Sequence, residues 1–232
     1  MKYAFRPPGK VRLVQCCAER QSYDSIILEL KAKHELRVML DLTPSEVDRF
    51  MTKAMKQSMD SRYHQYIITS MDVHTVNVAS WWPKNGTGAG KRPGVYGLRI
   101  LDPSDGAVRG VIRDWNFGEL LFGRRVDQRT LRTMNALIYD AVALLSRSFH
   151  DLDTSQAIET LNISCSITNP QAFWPYGGSL VSYMKMVQVK GLTGDVRLNE
   201  RGARRDLVLD VVKIRENAFA KEASTLLSSE RR

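Results

Sequence analysis

Apolar positions along the chain change their period several times, and each change marks an element. Val11 to Cys16 alternates and predicts a strand. Ser25 to Lys33 places Ile26, Ile27 and Leu30 on one side of a short helix. Arg37 to Leu42 predicts a buried strand. Thr43-Pro44-Ser45-Glu46 is a helix start, in which Thr43 can cap, Pro44 suits the first helical position and Glu46 completes a capping box. Val47, Phe50, Met51, Ala54 and Met55 follow at helical spacing, and Tyr63 to Met71 predicts the next strand. Strand, helix, strand, helix, strand in that order predicts an α/β fold with a parallel sheet.

The second half is more helical. Ser80 to Pro93 is a Gly- and Pro-rich loop, and Val95 to Leu101 a short strand. Asp105 to Leu121 carries Val108, Ile112 and Trp115 at helical spacing; Thr130 to Phe149 does so with Leu131, Met134, Ile138, Ala141 and Leu145. Asp151 to Gly178 reads as polar and irregular, and Ser179 to Lys190 as helix. Asp195 to Ile214 predicts a hairpin: Val196 and Leu198 alternate, Asn199 to Gly202 turns, and Leu207, Leu209 and Val211 return.

The composition is that of a folded protein, 43% hydrophobic and 25% charged. No apolar run reaches the ~20 residues that span a bilayer, and the first ten residues hold no signal-peptide core. Net charge is +9, but the basic residues are scattered and not interleaved with aromatics, so a solvated surface is expected and no nucleic-acid partner. Cys16, Cys17 and Cys165 make an odd count with no CxxC pair.

Chemical motifs fail on spacing. Gly86 to Lys91 looks like a phosphate loop, but its first glycine is one residue too close and Arg92 stands where Ser or Thr would hold Mg²⁺. Ser182-Tyr183-Met184-Lys185 fits S-x-x-K without the companion motifs of acyl-transfer enzymes. His34, His64, His74 and His150 show no metal spacing. No catalytic, cofactor-binding or metal-binding residue is expected, and no enzyme.

One longer pattern carries more. Gly191 to Arg204 (GLTGDVRLNERGAR), followed by Leu207 to Val212, resembles a segment late in the amino-terminal domain of ionotropic glutamate receptor subunits. Other pieces match in order: Tyr63 to Asp72, Tyr96 to Leu101, the helix around Trp115, Ala136 to Val142, and Trp174 with Gly177 to Ser179. Tyr63-His64-Gln65-Tyr66 looks most like the kainate-type subgroup.

The resemblance implies an α/β fold, an incomplete periplasmic-binding-protein type I clamshell with most of lobe one outside this sequence. It places residues 11–103 in lobe two, 104–188 among lobe-one helices and 189–214 in a lobe-two C-terminal hairpin, with 215–232 a divergent tail. It further implies a gap in the sheet beside Val11 to Cys16, and an apolar face on the Thr130 to Phe149 helix with no sheet beneath it. Cys165 would bridge to a lobe-one cysteine outside this chain. Asn85 and Asn162 head glycosylation sequons. Such a domain pairs with other receptor subunits, as a dimer within a tetramer, and touches the membrane only through downstream segments. Its place is the extracellular side of a cell membrane, at a synapse. The ectodomain of a G-protein-coupled or guanylyl-cyclase clamshell receptor is the alternative, and a basic nucleic-acid-binding protein the alternative from another class.

Overall fold

The computed structural model describes residues 23–82, 92–125, 131–159, 174–215 and 217–227. Helix α1 (Tyr23–Ala32) leads to β1 (Arg37–Leu40), α2 (Pro44–Lys56), β2 (Gln65–Ile68) and β3 (Gly94–Arg99). β1 pairs with β2 and β2 with β3, both parallel. The alternation of strand and helix therefore gives the expected parallel arrangement. Val11 to Cys16 lies outside the described residues, and with it the expected gap.

This half owns the largest core. α2 buries Val47, Phe50, Met51, Ala54 and Met55, the residues that its period singled out. They meet Tyr66 and Ile68 of β2, Val95 of β3 and Ile27 of α1. Tyr23 packs edge-on against Phe50 with ring centroids 5.9 Å apart. The buried Tyr66 hydroxyl donates to the Met59 carbonyl at 2.8 Å, so its burial leaves no orphan donor. Trp81, 1% exposed, donates its indole N–H to Asp48 at 2.7 Å. Gly97 belongs here for a steric reason: a Cβ at that position would lie 2.6 Å from Val73.

The Arg37 to Leu42 stretch is a shorter, less buried strand than expected. Met39 is 67% exposed while Leu40 is buried, because α1 and α2 cover one face of the sheet. Ile67 shows the same alternation on β2.

α3 (Gly106–Leu120), α4 (Thr133–Ser155) and α5 (Gly177–Met186) form the second half with the small ribbon β4 (Val189–Gly191) and β5 (Gly194–Val196). Asp105 caps α3 by accepting from the Ala107 N–H at 2.8 Å. Val108 and Ile112 pack with Leu101, Leu131, Ala136 and Leu192. Leu144, Val187 and Val196 form a further small cluster. The α4 residues Met134, Ile138, Val142, Leu145 and Phe149 are all exposed, so the apolar face expected on this helix is uncovered. The end of the stretch read as helix, Ser179 to Lys190, is instead β4, since α5 stops at Met186.

The hairpin expected over Asp195 to Ile214 is confined to its tip. Leu198 bridges Arg204, Asn199 Oδ1 accepts from the Arg201 and Ala203 N–H groups, and Gly202 turns at φ +77°. β5 pairs with β4, and β6 (Leu207–Arg215) joins the main sheet between β3 and β7 (Ala218–Leu227), antiparallel to both. The sheet order is β1-β2-β3-β6-β7. β7 occupies most of the tail read as divergent, so that tail is an edge strand of the fold.

Candidate functional site

A cleft of about 660 Å³ lies where β1 and β2 run out, against the start of α2. The carboxyl ends of parallel strands are where α/β domains take ligands, because the chain turns outward there into loops and helix N-termini. Asp41, Leu42, Thr43, Pro44, Ser45 and Glu46 line one wall; Ser70, Asp72 and Arg132 line the other. Among the described residues the cleft holds three carboxylates against one guanidinium.

Each carboxylate is held by a neighbour. Asp41 accepts from the Thr69 hydroxyl at 2.7 Å. Glu46 accepts from the Thr43 hydroxyl at 2.7 Å and its backbone N–H at 3.2 Å. These bonds, with Arg49 nearby, hold the Glu46 carboxyl below its ordinary value. The start of α2 is thus served by its own side chain, as the capping-box pattern predicted.

Asp72 does something the sequence pattern did not show. Its Oδ1 accepts from the Thr133 N–H, the first residue of α4, at 2.6 Å. Thr133 in turn donates its hydroxyl to the Met71 carbonyl at 3.1 Å, and His74 Nε2 meets the Leu131 carbonyl at 2.8 Å. The turn at residues 71–74 thereby grips the entry of α4. Burial pulls the His74 pKa down, and its bond to Leu131 opposes this.

The Gly191 to Arg204 pattern closes on a second point. Asp140, 2% exposed on α4, accepts from the Leu192 N–H at 2.6 Å, the Thr193 N–H at 3.0 Å and the Thr193 hydroxyl. A side chain at position 191 would overlap that carboxylate, which is why glycine stands there. Arg204 donates to the Thr193 hydroxyl at 2.6 Å and to the Thr193 and Asp195 carbonyls at 2.9 and 3.1 Å. Two stretches that resemble the same family, some 52 residues apart, meet at one buried carboxylate.

A third polar group seals the end of β3. Arg99, 7% exposed in its side chain, pairs with Asp102 at 2.8 Å and lies 3.7 Å from Asp210, which also binds Lys221 at 2.9 Å and Ser224 at 2.7 Å. Burial opposes ionisation of Asp102, but two bonds from Ser104 and the Arg99 and Lys221 charges outweigh it and keep its carboxyl low.

Cys16, Cys17, Cys165, Asn85, Asn162 and the Gly86 to Lys91 loop lie outside the described residues. Ser182 spends its hydroxyl on the Gly178 carbonyl of its own helix at 3.0 Å. Among the described residues no His, Cys, Asp and Glu side chains gather as a metal site, and no helix is long and apolar enough to cross a membrane. The cleft offers carboxylates, hydroxyls and a guanidinium, which suit the binding of a polar ligand.

A mixed α/β sheet whose β1, β2 and β3 run parallel, a polar cleft at their ends and flanking helices agree with a periplasmic-binding-protein type I fold. The sequence matches the family described as the receptor family ligand binding region over residues 6–217, and the chain belongs to it. It is an extracellular clamshell receptor domain. β7 begins at Ala218, immediately past that match.

Proposed function

We propose that the chain is part of the extracellular amino-terminal domain of a glutamate-gated ion channel subunit of the kainate type. In this role it governs which subunits assemble and modulates the channel, and it catalyses nothing. The observation that carries this reading is the junction at Asp140, where the Ala136 to Val142 and Gly191 to Arg204 stretches interlock. Both resemble the ionotropic glutamate receptor pattern, and the fold uses both at once. The exposed stripe from Met134 to Phe149 fits the same family reading, in which a lobe-one sheet lies against this helix.

On this reading the parent protein sits on the extracellular side of a synaptic membrane. Asn85 and Asn162 carry glycans there, and Cys165 pairs with a lobe-one cysteine outside this chain. Its partners are other subunits of the channel, not nucleic acid.

Sedimentation velocity tests the reading. The secreted chain is mixed in turn with a kainate-type subunit ectodomain and with G-protein-coupled and guanylyl-cyclase clamshell ectodomains. A complex with the first alone is expected. No complex with it, or a complex with one of the others, would overturn the assignment.

A further inference from the structure

We propose that His74 is a pH-sensitive latch between the two halves: the neutral ring holds the entry of α4 to the turn after β2, and protonation of the ring lets it go. The latch is a short run of bonds. His74 Nε2 reaches the Leu131 carbonyl at 2.8 Å, the Thr133 N–H donates to Asp72 Oδ1 at 2.6 Å, and the Thr133 hydroxyl donates to the Met71 carbonyl at 3.1 Å. α4 depends on them, because its N-cap residue, Arg132, supplies no side-chain cap.

The contact with Leu131 fixes the tautomer of the ring. A carbonyl oxygen can only accept, so this bond requires the proton on Nε2. Nδ1 is then the bare nitrogen, and it is buried without a hydrogen-bond partner among the described residues. Acid must place its proton on Nδ1. The new N–H meets no acceptor there, and the new charge is kept from water.

The charged groups around the ring come from several elements. Asp72, on the same turn, and Asp102, past the end of β3, favour the charged ring, while Arg99 of β3 opposes it. On the α4 side Arg132 is exposed to solvent. Burial outweighs the carboxylates and the bond to Leu131, and it holds the ring below its ordinary pKa. The closed latch therefore binds fewer protons than the open one. It is shut at neutral pH and opens as pH falls below the ordinary 6.5 towards the lower closed value.

The experiment is amide hydrogen exchange of Thr133 and Ala136 at about pH 7.5 and about pH 5.5, each rate expressed against that of an unstructured chain at the same pH. These N–H groups bond to Asp72 and to the Arg132 carbonyl, so they report the helix entry. Acid is expected to lower their protection about fivefold, the worth of one lost hydrogen bond. His74→Gln can donate to Leu131 from its side-chain amide but does not titrate, and it is expected to keep its protection in acid. His64→Gln, at the other end of β2, is expected to leave the acid response intact. NMR of the His74 ring nitrogens at neutral pH should find the proton on Nε2. No acid response in the unaltered chain, an equal response in His74→Gln, loss of the response in His64→Gln, or a proton on Nδ1 at neutral pH would overturn the proposal. The readout needs no partner subunit, so it stands or falls apart from the assembly reading.

Discussion

The sheet half and the helical half of this domain use the same kind of amphipathic helix and end differently. In α2 the apolar face lies against β2, β3 and α1, and Val47, Met51 and Ala54 are fully buried. In α4, which is nearly twice as long, the stripe from Met134 to Phe149 is exposed, and the buried residues are mostly small or polar: Thr133, Ala136, Asp140 and Ser148 beside Leu144 and Leu152. α3 repeats this, with Val108 and Ile112 inside and Phe117 and Leu120 outside, and Leu121 and Phe122 just past its end are exposed too. Periodicity alone reports that a helix has a side to bury. Whether something covers that side depends on elements far away in sequence.

The helical half combines two small apolar clusters with a buried polar anchor at Asp140, and substitutions should separate it from the sheet half. Asp140→Ala is expected to have the largest effect. It orphans the Leu192 and Thr193 N–H groups and removes the counter-charge that Arg204 feels, at a cost of about 3–5 kcal/mol in a denaturant melt. Asp140→Asn should cost less, because it keeps an acceptor. Equal stability of Asp140→Ala and the unaltered chain would dismiss the polar anchor.

Apolar truncations come next. Met51→Ala, at a fully buried position, should cost about 2–5 kcal/mol. Ile138→Ala, at a position 56% exposed, should stay within about 0.5 kcal/mol. If the two prove similar, the α4 stripe is covered in solution and the contrast between the halves fails.

The smallest expected effect is on pH dependence. His74 and His64 have folded pKa values below the ordinary 6.5, burial being the first cause for each. The unfolded chain then binds more protons than the folded one just below pH 6.5. Stability should decline as pH falls through that range, towards the lower folded values, and before carboxylates such as Asp102 begin to protonate. His74→Asn should flatten the slope just below pH 6.5 in thermal melts. An unchanged slope would mean that the ring's burial costs nothing on protonation.

How much of this could be read from the sequence follows from how local each feature is. The α2 start, its buried face and the order of β1, β2 and β3 rest on neighbours in the chain, and all are present. β7 was missed because AFAKEASTLL has no alternation of apolar residues. Its strand state comes from pairing with β6, and its charges are spent on that neighbourhood: Lys221 on Asp210, Glu222 on Arg215. A register shift at Val211/Val212 and these charges suit an edge that should not recruit further strands. The hairpin was overextended because Gly194 and Gly202 do mark turns, but the strand between them pairs with β4 under the hold of Asp140. Of the cleft, the pattern showed the Thr43–Glu46 cap alone. Asp72 and Asp140 were single letters in matching stretches, since the partners that give them meaning lie 61 and 52 residues away.

Hydrogen exchange of the whole chain tests the contrast between the halves most directly. The amides of α2 and of β2 are expected to exchange slowest. Those of the C-terminal half of α3, from Trp115 to Leu120, are expected to exchange roughly a hundredfold faster, as sparsely packed helix ends do. Uniform protection across α2, α3 and α4 would contradict the division into a self-sufficient sheet half and an uncovered helical half.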